Sequence, residues 1–144
     1  MPRALFLDFD GVIKESLDVK TRAFGEILAP WGEAAMARAR EHHVANGGMS
    51  RYEKILLYLC EYCGVEPTDD LVARLLDEFA DKVIDEVVAS PFVPGVLDLI
   101  RGAQTAALPL AIVSGTPQGE MDLIVARCGL DGVFARVYGS PRDK

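Results

Sequence analysis

Two short apolar runs, Ala4-Leu5-Phe6-Leu7 and Leu110-Ala111-Ile112-Val113, stand far apart in a chain of 144 residues. Each is continuous rather than alternating, which suits a strand buried on both faces of a parallel sheet. Each breaks at its carboxyl end into small, polar or acidic residues. The first gives Asp8-Phe9-Asp10-Gly11 and the second Ser114-Gly115-Thr116-Pro117. The pattern between them is helical. A parallel sheet whose first crossover carries a helical insertion accommodates all of this.

The intervening pattern can be read element by element. Ser16 is placed as the N-cap of a helix reaching about Ala29, broken by Pro30-Trp31-Gly32. A second helix is expected from Glu33 to about Ala45, ending at Asn46-Gly47-Gly48. Ser50-Arg51-Tyr52-Glu53 is a capping-box sequence. Behind it Tyr52, Ile55, Leu56, Leu59 and Cys63 keep helical spacing as far as Gly64. Thr68-Asp69-Asp70 opens a further helix to about Ala89, with acidic residues favourable against the dipole. Pro91 and Pro94 stop it. A helix over 96–106, the second strand, a helix over 118–128 and a third strand within 133–138 complete an α/β order. Residues 1–15 and 91–144 form the sheet-bearing core, and 16–90 the insertion.

Charge narrows the partners. The 22 acidic and 15 basic residues leave a net charge of −7. Nucleic acids and anionic membranes both require a basic footprint, so neither is an expected partner. A small anionic substrate remains compatible, since a metal or a few local cations suffice. Three cysteines, an odd number, and an apolar N-terminal run too short for a signal or membrane segment lead to the expectation of a reducing, cytoplasmic setting.

The carboxyl edge of an open parallel sheet is where ligands bind. Asp8 and Asp10, two residues apart, can share one pocket, where their mutual repulsion calls for a cation or a shared proton. Mg²⁺ fits, because it takes few protein oxygens and accompanies phosphate. Ser114, Gly115 and Thr116, at the start of a helix, offer backbone N–H groups to an anion. Taken singly, the acidic turn reads equally as a solvated loop, and Ser-Gly-Thr as an ordinary cap. On one sheet edge they describe a metal-assisted phosphate site.

These motifs resemble those of the haloacid dehalogenase (HAD) superfamily. Phe6-Leu7-Asp8-Phe9-Asp10-Gly11-Val12 is similar to its first motif and Val113-Ser114-Gly115-Thr116 to its second. Gly139-Ser140-Pro141-Arg142-Asp143-Lys144 resembles the approach to its third, a lysine. The insertion resembles the family's helical C1 cap. The resemblance implies a three-layer Rossmann-like core and phosphoryl transfer. Asp8 would be the nucleophile and Asp10 the general acid and base. Mg²⁺ would be held by the Asp8 carboxylate and the Asp10 backbone carbonyl. Ser114, Gly115 and Lys144 would hold the phosphoryl group.

Gly48-Met49-Ser50-Arg51 resembles a cap segment of β-phosphoglucomutases and sugar phosphatases. That similarity makes Arg51 a substrate-binding candidate, the competing reading being a solvated first-turn arginine. Lys20 stands where many relatives carry His, which weakens a mutase reading and offers a cation to an acidic sugar or carboxylate. The expected function is a phosphatase of small phosphorylated metabolites, with sugar phosphates foremost. A phosphomutase and a catalytically incomplete binding module are the alternatives.

Cys60 and Cys63 have zinc-like spacing without a second pair, so core cysteines are expected. Phe24, Trp31 and Tyr52 read as core of the insertion. The family's later acidic motif has no counterpart before Lys144. With the family's strand order the first strand becomes a sheet edge, open to self-association. The 144-residue chain by itself is therefore expected to turn over weakly or not at all.

Overall fold

In a computed structural model, residues 3–141 are described. The chain divides into two compact units. Of the described residues, one unit takes 3–17 and 84–141; the other is Asp18–Val83. Among the described residues no helix is long and apolar enough to cross a membrane.

The first unit is built on three parallel strands, β1 (Leu5–Leu7), β2 (Leu110–Pro117) and β3 (Arg136–Ser140), in the order β1-β2-β3. β1 lies at an edge, as expected. Leu5, Phe6 and Leu7 pair with Leu110, Ala111 and Ile112. Helices α5 (Val96–Thr105) and α6 (Gln118–Arg127) return the chain between β2 and its neighbours. Leu7, Leu110 and Ile112 on one sheet face join Val96, Ile100, Met121 and Ile124 in the buried set. Phe6, Val113 and Tyr138, on the opposite face by strand alternation, are exposed.

The second unit is helical. It contains α1 (Val19–Glu26), a 3-10 turn at Ala29–Trp31, α2 (Glu33–Ala45), α3 (Arg51–Leu57) and most of α4 (Asp69–Ala89). Small residues set the approach of α1 to α2: Ala23, Ala35 and Ala39 are buried, and a Cβ on Gly25 would come within 2.8 Å of the Arg40 side chain. The capping box at α3 forms in both directions: Ser50 Oγ accepts from the Glu53 N–H at 3.2 Å, and the Glu53 carboxylate accepts from the Ser50 N–H at 3.2 Å. Phe24 is the hub of the core. Its ring lies 4.3 Å from Phe79, 4.8 Å from His43 and edge-on to Tyr58 at 5.7 Å, centroid to centroid.

Three expectations need correction. Ser16 is not a helix cap; α1 starts at Val19 behind Asp18, because the Ser16 hydroxyl is bonded elsewhere. Cys60 is exposed rather than core. A π turn at Tyr58–Tyr62 follows α3, and its wider winding rotates later residues off the α-helical phase. Tyr52 is likewise exposed.

The helical unit also pairs a buried lysine with a half-buried histidine. Lys54 is buried, and its ammonium donates to His43 Nδ1 at 2.9 Å with the Phe24 ring face 5.4 Å away. Burial, then the charge of Lys20, lowers the Lys54 ammonium below its usual range. Burial, reinforced by Lys54, Lys20 and His42, pushes His43 from 6.5 to about 4. Unfolded, this imidazole takes its proton near 6.5; folded, it resists until about 4. The unfolded state therefore binds more protons between those values. The His43 contribution is complete above pH 6.5 and is lost as pH falls toward 4. Discounted for partial exposure, it is about 1–2 kcal/mol. The melting temperature should fall across that window, and His43→Asn should flatten the fall. Parallel profiles for the two proteins would remove this account.

Candidate active site

β1 ends at Leu7, and the chain turns at once. The Phe9 carbonyl accepts from Ile13 N–H at 2.8 Å, from Lys14 N–H at 3.2 Å and from Val12 N–H at 3.3 Å. The Gly11 N–H donates to the Lys14 carbonyl at 2.7 Å. Gly11 sits at φ +76, and a Cβ there would meet the Leu17 side chain at 2.7 Å, so only glycine suits the turn. The result is a compact loop that holds its two carboxylates differently. Asp8 is exposed, with one carboxylate oxygen accepting from the Phe9 N–H at 2.6 Å. Asp10 is half-buried and accepts from Ser16 Oγ at 2.7 Å.

Ser16, 1% exposed, is a residue that sequence reasoning misassigned. Its hydroxyl donates to the candidate acid and base instead of capping a helix. The available signal was its place six residues after Asp10, in a stretch with no apolar periodicity.

The second half of the site comes from β2. The pair Leu7–Ile112 is parallel, so the continuation of both strands reaches the same sheet edge. Asp8 follows Leu7 there, and Val113 and then Ser114 follow Ile112. Ser114, Gly115 and Thr116 were expected at a helix start, but they continue the strand, and α6 begins only at Gln118. The register with β3 shifts between Val113 and Pro117, a local irregularity that re-aims this stretch. Buried Ser114 accepts at Oγ from the Thr116 N–H at 3.1 Å, a bond that does not use its own proton.

β3 buttresses the stretch. Ser140 Oγ donates to the Gly115 carbonyl at 2.9 Å, and the Gly139 N–H donates to Gln118 Oε1 at 2.7 Å. A Cβ on Gly139 would come within 2.6 Å of Gln118 Cα and 2.8 Å of the Thr116 carbonyl oxygen.

Asp8, Asp10, Ser114 and Gly115 thus belong to one unit and one sheet edge. Lys20 and Arg51 belong to the helical unit, on α1 and at the start of α3. Both are half-buried, and the Arg51 guanidinium lies over the Phe79 ring at 4.8 Å. Lys144 lies outside the described residues. Among the described residues no group of three His, Cys, Asp or Glu side chains is arranged to hold a metal ion. The donor set at the acidic loop is oxygen only: two carboxylates and the intervening backbone carbonyls. Such a set matches Mg²⁺, which needs one or two protein carboxylates beside substrate and water oxygens.

No protein-family model matches the sequence. Among curated proteins, the chain is 30% identical over 130 residues to protein CbbY of Rhodobacter capsulatus, covering 86% of this chain and 55% of that protein. It is 25% identical over 144 residues to phosphoglycolate phosphatase 1 of Pseudomonas aeruginosa, covering 96% of this chain and 51% of that protein. The chain therefore spans about half the length of these relatives. Among solved structures, CbbY from Rhodobacter sphaeroides, in complex with phosphate, superposes with a TM-score of 0.71 at 20% identity. That match covers 97% of this chain and 64% of the other.

Proposed function

The chain carries the fold of the haloacid dehalogenase superfamily, and from that premise we propose that it is a phosphoric monoester hydrolase acting on a small phosphorylated metabolite, with sugar phosphates as the foremost class. The observation that carries this reading is the parallel Leu7–Ile112 register, with an acidic loop and a serine-bearing strand end on one sheet edge. The similarity to a phosphoglycolate phosphatase and to CbbY supports it.

In this reading the exposed Asp8 carboxylate attacks phosphorus, and the P–O bond to the leaving alcohol breaks. Asp10 gives a proton to that leaving oxygen and then takes one from the water that hydrolyses the aspartyl-phosphate. The Ser16 hydroxyl holds Asp10 in one orientation for both steps. The Ser114 hydroxyl and neighbouring N–H groups bind the phosphoryl oxygens, and Lys144 adds positive charge. The Asp8 carboxylate and Asp10 carbonyl would hold Mg²⁺, which when bound would neutralise charge on the phosphoryl group. The helical unit serves as the cap, and its Lys20 and Arg51 recognise the non-reacting part of the substrate.

The test uses the purified protein at its natural length, Mg²⁺ and a panel of phosphate monoesters. Phosphate release is expected, together with borohydride reduction of the acyl-phosphate at Asp8, read by peptide mass. Release without any label at Asp8 rejects the nucleophile. No release from any ester rejects the hydrolase.

A further inference from the structure

Lys14 is 5% exposed, although it sits in a surface-type sequence, Lys-Glu-Ser. A buried ammonium is costly unless its protons find acceptors. Here two carbonyls supply them. Lys14 Nζ donates to the Ser90 carbonyl at 2.7 Å and to the Val88 carbonyl at 3.1 Å. The Phe92 ring face lies 4.1 Å from the same nitrogen. Val88 is in the last turn of α4, whose final carbonyls have no intrahelical partner and carry the negative end of the dipole. The ammonium therefore caps a helix end and the turn after it.

The backbone of the same residue organises the acidic loop. The Lys14 carbonyl accepts from the Gly11 N–H at 2.7 Å and from the Ser16 N–H at 2.9 Å. Lys14 forms isolated bridges with Asp10 and with Phe92. Flanking it, the Glu15 N–H donates to the Pro91 carbonyl at 2.9 Å and the Val93 N–H to the Ile13 carbonyl at 3.0 Å. One residue thus joins two segments distant in sequence, and the Ser16–Asp10 hydrogen bond starts two residues from the join.

We propose that Lys14 is a positioning residue. Its buried ammonium anchors the loop to the α4 terminus and to Phe92, which fixes the Ser16 hydroxyl against Asp10. Its part in turnover rests on the hydrolase reading above; its part in ordering the loop does not. Lys14→Met keeps the apolar stem and removes the donors. Phe92→Leu keeps the donors and weakens only the ring contact, which provides a milder variant.

Amide hydrogen exchange on the natural-length protein is the first readout. Lys14→Met should speed exchange at Gly11 and Ser16 about tenfold, with Phe92→Leu between it and wild type, while amides of Ile112 and Val113 stay at the wild-type rate. Unchanged Gly11 and Ser16 exchange overturns the proposal. So does equal acceleration throughout the unit, which marks a merely structural lysine.

Kinetics with a small aryl phosphate is the second readout. Lys14→Met should lower kcat about tenfold with KM within about twofold, and Lys14→Met with Ser16→Ala together should lose little more than either alone. Losses that multiply overturn the route through Ser16. The expected local exchange changes in the variants, together with no phosphate release by the wild-type protein, would reject the hydrolase reading while leaving the loop assignment in place.

Discussion

Asp8→Asn should reduce phosphate release by about a thousandfold or more while leaving the melting temperature within about a degree of wild type. An amide cannot attack phosphorus and hold the resulting acyl-phosphate, so the loss falls on kcat rather than KM. The fold has little reason to notice. Asp8 is exposed, and its recorded hydrogen bond is accepted from the Phe9 N–H by an oxygen that asparagine also possesses. The measurement is steady-state phosphate release beside a thermal melt. Retained turnover would reject Asp8 as the nucleophile. Lost turnover with a collapsed melting temperature would show the residue to be structural.

Phe24→Ala should destabilise the helical unit by about 3–5 kcal/mol. The ring is 2% exposed and packs against Phe79, His43 and Tyr58, so alanine leaves a cavity ringed by aromatic groups that cannot collapse into it. The Lys54 ammonium also loses the ring face beside it. Urea unfolding followed by helical circular dichroism gives the answer. A penalty below about 1 kcal/mol would mean that the neighbours close the gap and that Phe24 is not the hub of this core. Phe24→Leu retains most of the volume and should recover the greater part of the loss.

The legible parts of this molecule are those set by local chemistry. Helix α2 was readable because Gly32 and Asn46 bound a helical pattern on both sides. The capping box at Ser50 and Glu53 formed because both of its partners lie within one turn. The strands β1 and β2, and the acidic and serine-bearing ends that follow them, announced the sheet edge.

What escaped depends on partners distant in the chain. Ser16 stands before a helical pattern as a cap would, yet its hydroxyl belongs to Asp10. Lys14 and Lys54 look like solvated lysines, and each becomes buried only because carbonyls, a histidine nitrogen or a ring arrives from another segment. Cys60 was misplaced because nothing in the sequence signalled the π turn. Continuation of β2 through Thr116 was missed for a similar reason, since its irregular pairing with β3 reflects contacts made by Gly139 and Ser140.

The pairing of Leu5 with Leu110 has a consequence for how the molecule assembles. Among the described residues, the strand that pairs with β1 lies beyond the whole helical unit in the sequence. The contacts of that unit lie within one continuous stretch of chain, so they involve short loops and form early. The sheet must close a far longer loop, at a greater entropic cost. Until β2 docks, β1 lacks its pairing with Leu110, Ala111 and Ile112, and the acidic loop that follows it lacks that frame. The helical unit orders from contacts close in sequence, whereas the acidic loop and the serine-bearing strand end meet only when that long loop closes.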